Sequence, residues 1–224
     1  PTNNTIFYDY ETFTNEQGEH IPNLVVAFRT NHEDINDYTE HIFSVYQPEN
    51  ELKSVNTRFC EWLFSNDNKG YTCIAHNSKG YDIHFIKQYL YNNDVQLKFD
   101  CIDTGSKSMS LKVKALNMRF IDSLNFFGSS LKSLPKTYGL DADIKKGDFP
   151  HFFNKPENYN YMGPYPSKLY YGYSSMKKDS AKEFDEWYNN IGDKQFDFKT
   201  EIIEYCRNDV LVLMQAWLKF RNIF

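Results

Sequence analysis

Cysteine is scarce in this chain, with four residues in 224. Cys60, Cys73, Cys101 and Cys206 are widely spaced, form no C-x-x-C pair and sit in apolar surroundings, so neither a zinc site nor a disulfide framework is indicated. Long apolar runs are missing too. No stretch approaches the roughly 18 uncharged residues that could span a bilayer, and the opening PTNNTIFYDY has neither the basic start nor the apolar core of a secretory signal. A soluble, intracellular protein with no membrane partner is expected, with nucleus, cytoplasm and virion all open. The third absence is an excess of positive charge: a net charge of −5 argues against a strongly basic nucleic-acid coat. There is also no internal repeat and no low-complexity tract.

What is present suits one folded unit. With 41% apolar residues the chain can supply a sizeable core. Its cations are unevenly spread: between residues 105 and 146, Lys107, Lys112, Lys114, Arg119, Lys132, Lys136, Lys145 and Lys146 stand against Asp122, Asp141 and Asp143. A local basic face beside an acidic centre is what a phosphodiester-cleaving site requires, although each lysine can equally be a solvated surface residue.

Short aromatic and β-branched runs at 5–10 (TIFYDY) and 23–29 (NLVVAFR) read as strands of an opening hairpin or meander. Val55, Phe59, Trp62 and Leu63 recur at helical spacing, 71–75 reads as a strand, and Ile83, Phe85, Ile86, Tyr89 and Leu90 form a second helical stripe. Strands at 111–113 and 118–121 follow, then a helix over 130–138 closed by Gly139. Residues 141–175, rich in proline, glycine and tyrosine, permit little regular structure, yet they are too aromatic for a disordered linker, so an ordered, functional excursion is expected. Two helices, 181–190 and 199–220, end the chain, the latter with Ile202, Cys206, Val210, Leu213 and Trp217 on one stripe. This succession of strands and helices predicts an α/β domain on a mixed central sheet.

Asp9 and Glu11 are two apart at the end of a strand, so their carboxylates project from the same face and can share a metal ion. Asp82 closes HNSKGYD at a strand-to-helix junction, the usual place for sites in open α/β sheets, where an N-capping role is the competing explanation. Tyr205 and Asp209 are four apart on the last helix and so share a face. Either could separately be a core-edge aromatic or a solvated charge; four carboxylates in the order Asp, Glu, Asp, Asp with a tyrosine four before the last are far less expected by accident.

These residues carry a specific resemblance. YDYET, HNSKGYD and YCRND resemble the three motifs of the DEDD 3′→5′ exonucleases. The histidine subtype would place His five before the last aspartate, where Glu204 stands, so the tyrosine subtype is the better match. IDSLNFF at 121–127 resembles the single-strand-binding element of family B DNA polymerases, and IKKGD at 144–148 is similar to the lysine motif of their protein-primed branch, with Lys146 the corresponding residue. The following FPHFFNKPENYNYMGPYP is similar to polymerases of Maverick/Polinton transposons, related viruses and linear plasmids. The palm D-T-D motif of such polymerases is missing, so a fragment or a free-standing nuclease is expected.

The resemblance implies a ribonuclease H-like 3′→5′ exonuclease fold over residues 1–224 and a proofreading activity on single-stranded or frayed 3′ DNA ends. It implies two Mg²⁺ or Mn²⁺ ions, held by Asp9, Glu11, Asp82 and Asp209 about 3.5–4 Å apart. By the same resemblance Tyr205 orients the attacking water, and Lys146 steadies the scissile phosphate or the water. DNA contacts carried over are Thr12, His76, Asn77, Tyr81, Phe85, Ser123 and Leu124; His76 is equally readable as a structural histidine and Phe85 as core packing. Implied partners are a single-stranded DNA 3′ end, a polymerase domain in cis or in trans, and a terminal protein. Two alternatives remain open: a DEDD nuclease acting on RNA, and a catalytically silent nucleic-acid-binding or assembly module.

Overall fold

The computed structural model describes residues 4–31, 34, 36–46, 52–92, 97–105, 107–141 and 147–223. A seven-stranded mixed sheet runs in the order β3-β2-β1-β4-β7-β6-β5. Its strands are β1 (Thr5–Thr14), β2 (His20–Thr30), β3 (Thr39–Ser44), β4 (Thr72–Ala75), β5 (Phe99–Thr104), β6 (Lys107–Val113) and β7 (Met118–Asp122). β1, β4 and β7 are mutually parallel and central, and the other pairings are antiparallel. The three parallel strands therefore end on the same side of the molecule.

β1, β2 and β4 are buried on both faces over most of their length, and alternation divides their residues between two cores. Phe7, Leu24, Val26, Phe28 and Ile74 point one way, against α4 (Leu134–Tyr138) and the long α6 (Phe198–Ile223). Ile6, Tyr8, Tyr10, Val25, Ala27 and Cys73 point the other way, against α1 (Val55–Leu63) and α2 (Asp82–Asn92). Ser54 starts α1 by accepting from the Thr57 amide at 3.1 Å. The architecture is the expected α/β arrangement on a mixed sheet.

Several elements differ from the sequence reading. The edge strands β3 and β5 are interspersed with charged and polar residues, Glu40 and His41 in one and Asp100 and Asp103 in the other, which hides the strand signal. The helix expected over 130–138 is divided into a 3₁₀ turn, Leu131–Ser133, and the short α4. Pro135 accounts for the division, because it lacks an amide proton and fits only the first turn of a new helix. Gly139 closes α4 with φ 56°. A four-residue helix, α3 (Leu124–Phe127), precedes it.

The described part of the 141–175 excursion is ordered, as expected, but it is not wholly irregular. It consists of 3₁₀ turns and a short strand, β8 (Met162–Pro164), which pairs antiparallel with β9 (Gln195–Asp197) after α5 (Lys178–Asn189). Phe149, Phe153, Phe196 and Phe198 cluster beneath it and join the α6 core. The aromatic richness of the segment is thus its own packing.

Candidate active site

β1 sets the first two carboxylates. Asp9 and Glu11 alternate in step with Phe7, so they leave the sheet on the α6 side, just before a register shift between Glu11 and Thr12. α6 runs across that end of β1 and presents Tyr205 and Asp209 one turn apart. β4 ends at Ala75, the chain reverses through Asn77 at φ 59° and the turn Ser78–Gly80, and Asp82 opens α2. Asp9, Glu11, Asp82, Asp209 and Tyr205 accordingly line one cleft of about 540 Å³ beyond the carboxyl ends of β1 and β4.

Asp122, at the end of β7, holds the turn in place without joining the cleft. Its two oxygens accept from the Lys79 amide at 3.0 Å and the Leu124 amide at 2.9 Å. The Tyr8 hydroxyl and Ser78 lie 3.4 Å apart behind the same turn. Asp82 is 3% exposed, and its Oδ1 is buried with no hydrogen-bond partner. Burial pushes its carboxyl up to about 7, the amides of Asp82 and Tyr10 act against that shift, and the nearby Asp122 adds to it. A buried carboxylate oxygen without a donor is a position that a cation would satisfy.

Asp9, Glu11 and Cys206 each bring a ligand-capable atom within 4.8 Å of the others. The sulfur is the odd member. Burial, and then the charges of Asp9, Glu11 and Asp209, raise the Cys206 thiol well above its ordinary range, so it stays protonated. As a thiol it donates to the Asp9 carbonyl at 3.5 Å and to Asp9 Oδ2 at 3.8 Å, tying α6 to the end of β1. The ligand set that remains is all oxygen, which fits a hard divalent cation such as Mg²⁺ or Mn²⁺ and not a thiolate-bound metal.

Tyr205 is buried, and burial followed by the charges of Asp209, Glu11 and Asp9 raises its hydroxyl well above the usual phenol value. At neutral pH it is therefore a hydrogen-bond donor and not a base. Its ring packs against Phe149 at 5.4 Å and His151 at 5.2 Å.

Of the other expected residues, Thr12, His76, Asn77 and Tyr81 line the cleft. Thr12 Oγ1 hydrogen-bonds the Tyr81 hydroxyl. His76 Nδ1 lies 2.9 Å from Ser123 Oγ, so Ser123, fully buried, supports the cleft wall and does not line it. Phe85 is half-buried against Tyr10 at 5.1 Å and Tyr81 at 5.4 Å, and Leu124 is half-buried beside Asp122; neither lines the cleft. Lys146 lies outside the described residues. Gly147, next to it, runs beside Tyr205: a Cβ there would stand 3.7 Å from Tyr205 Cδ2.

The cleft contains residues that the sequence motifs did not mark. His151 and Phe152, from the excursion, line it together with His20 and Thr14. His151 Nδ1 is 3.8 Å from Glu11 Oε2. Only the aromatic density of FPHFF hinted at this, since local pattern cannot say where a loop docks. Among the described residues the basic stretch forms no single face beside the carboxylates. Lys112, Lys114 and Arg119 gather at the opening end of β7, whose other end faces the cleft, and Lys114 and Lys132 pair with Asp100 at 2.9 Å and Glu183 at 3.1 Å. Among the described residues no helix is long and apolar enough to cross a membrane.

The family model for organellar and viral type B DNA polymerases matches residues 64–224, from the end of α1 through Asp82, Tyr205 and Asp209. The chain belongs to that family. A DNA polymerase of Kluyveromyces lactis is 30% identical over 173 residues, 66% of this chain and 15% of that protein. A probable DNA polymerase of Podospora anserina is 34% identical over 96 residues, 43% of this chain and 7% of that protein. The chain spans between 7% and 18% of the length of the curated relatives it matches. Among solved structures, the family B DNA polymerase of Pyrobaculum calidifontis covers 96% of this chain and 24% of its own, at TM-score 0.49 and 14% identity. An apo exonuclease I covers 66% of this chain and 34% of its own, at TM-score 0.35 and 14% identity.

Proposed function

We propose that this family member is a ribonuclease H-like 3′→5′ exodeoxyribonuclease unit that removes nucleotides from single-stranded or frayed 3′ DNA ends, proofreading for a type B DNA polymerase. The observation that carries the proposal is the meeting of Asp9, Glu11, Asp82 and Asp209 in one cleft, with a buried Asp82 oxygen that has no hydrogen-bond donor. Four carboxylates crowded in one cleft repel one another, and divalent cations are the counter-charge that makes the arrangement favourable.

Asp9, Glu11 and Asp209 would hold one cation and Asp9 with Asp82 the other. Bound there, the ions supply activation of a water and stabilisation of the leaving 3′-oxygen. The chain's own residues do the rest. Tyr205, kept protonated, donates from its hydroxyl and fixes the position of the attacking water beside Asp209 and Glu11. Thr12, Asn77 and Tyr81 present polar groups to the sugar-phosphate of the entering strand. Lys146, one residue from the chain segment that runs past Tyr205, steadies the scissile phosphate. Membership of the type B polymerase family supports DNA as substrate and a polymerase domain as partner. The protein-primed branch and its terminal protein rest on the lysine motif and the FPHFF stretch.

The test is a time course on a 5′-labelled single-stranded DNA oligonucleotide with Mg²⁺, beside an RNA strand of the same sequence and the Asp9→Ala variant. A one-nucleotide ladder that shortens the DNA from its 3′ end, absent in EDTA and in the variant, is expected. Mg²⁺-dependent cleavage retained by Asp9→Ala would refute the site, and faster loss of RNA would move the substrate class.

A further inference from the structure

We propose that Phe152 is the stacking platform for the unpaired bases of the strand that enters the cleft, an inference that rests on the nuclease reading and adds the residue that grips the base. Phe152 is 63% exposed, while its neighbours Phe153 and Asn154 are 8% and 2% exposed. It lines the same cleft as the four carboxylates. A large apolar ring left in water at the rim of a polar cleft is surface that a partner with a flat apolar face would cover.

The ring is held in place and does not trail loosely from a loop. The turn His151–Phe153 divides its side chains between the cleft and the core. His151 packs on Tyr205 at 5.2 Å, Phe153 packs into the core on Tyr161 and Tyr170 at 5.0 Å each, and Phe152 faces the opening. Gly172 braces it from behind: its φ of +70° suits glycine, and a Cβ there would come within 3.3 Å of Phe152 Cε2. One residue beyond the turn, Asn154 donates to the Thr12 carbonyl at 2.9 Å, which fixes the backbone that carries the ring to the end of β1.

The other groups of the lining have other contacts: the His151 ring packs on Tyr205 beside Glu11, and His76 lies against Ser123. The carboxylates are committed to cations and phosphate chemistry, and Tyr81 is tied through its hydroxyl to Thr12 and edge-on to His20. Phe152 offers the accessible flat face. Every nucleobase has a π-face, so a ring of this kind grips a strand end without reading its sequence.

The test compares the wild type, Phe152→Ala and Phe152→Trp on two 5′-labelled single strands of equal length, one with normal bases and one with abasic sites at its last three positions. Steady-state constants are measured with Mg²⁺, and affinity by fluorescence anisotropy in EDTA. For Phe152→Ala on the normal strand, KM is expected to rise about 5- to 100-fold, with kcat little changed. The abasic strand should show no difference from wild type, Phe152→Trp should restore the wild-type KM, and the melting temperature should not move. Equal constants for wild type and Phe152→Ala on the normal strand overturn the proposal. So does an equal loss on both strands, which marks a structural role. If the wild type does not cleave, the nuclease reading fails separately, and anisotropy decides in its place: a loss of affinity confined to the normal strand supports stacking, and unchanged affinity overturns it.

Discussion

Asn23 and Asn154, 131 positions apart, share a buried hydrogen bond of 2.6 Å from Asn23 Nδ2 to Asn154 Oδ1. Asn23 lies at the β1–β2 irregularity and Asn154 in the excursion, and Asn154 also donates to the Thr12 carbonyl at 2.9 Å. The pair ties the excursion to the strand that carries Asp9 and Glu11. Replacing Asn154 with Ala removes the donor to the Thr12 carbonyl and leaves Asn23 Nδ2 only the Tyr159 hydroxyl at 3.2 Å, which costs about 1–3 kcal/mol. A lower urea midpoint with unchanged slope is expected, together with weaker strand binding because the turn that carries Phe152 is released. An unchanged midpoint would show that the pair holds nothing.

Asp82 gives the metal-free protein a definite pH dependence. Its folded-state value, about 7, lies above the roughly 3.9 of an unfolded aspartate, so the fold binds this proton more tightly than the unfolded chain does. The stabilisation is complete below pH ~4 and is lost as pH rises through about 7. In EDTA, thermal stability should fall between pH 5 and pH 8, and Asp82→Asn should flatten that fall. Mg²⁺ should raise the wild-type melting temperature more at pH 8 than at pH 5, since the ion competes with the proton for the same oxygen. A uniform metal effect across the range would remove Asp82 from the ligand set.

Tyr205→Phe separates the hydroxyl from the ring. The ring's contacts with Phe149 and His151 survive, so the melting temperature should be preserved. Loss of one preorganised donor should lower kcat by about 100-fold with KM nearly constant. A large rise in KM instead would mean that Tyr205 binds the strand and does not position the water.

The four thiols should divide three to one in the native state. Cys60, Cys73 and Cys206 are buried, with burial as the leading cause of their raised values, and Cys101 is partly exposed. One thiol should react with an aromatic disulfide reagent before unfolding and all four after it. Fast labelling of Cys206 without unfolding would contradict its seat against Asp9.

Periodic features were legible in the order of residues alone. Alternation along β1 already placed Asp9 and Glu11 on one face, the 3.6-residue stripe of α6 placed Tyr205 beside Asp209, and Gly139 marked the end of α4, because each follows from the local geometry of one element. Which distant pieces meet is a matter of packing. The short edge strands β3 and β5 are defined by pairing, not by their own composition. Cys206 read as one more stripe residue until packing set it 3.5 Å from the Asp9 carbonyl. His151 and Phe152 reach the cleft because buried aromatics and the Asn23–Asn154 hydrogen bond dock their loop there. Such docking is set by contacts across more than a hundred residues of chain, and no local repeat records it.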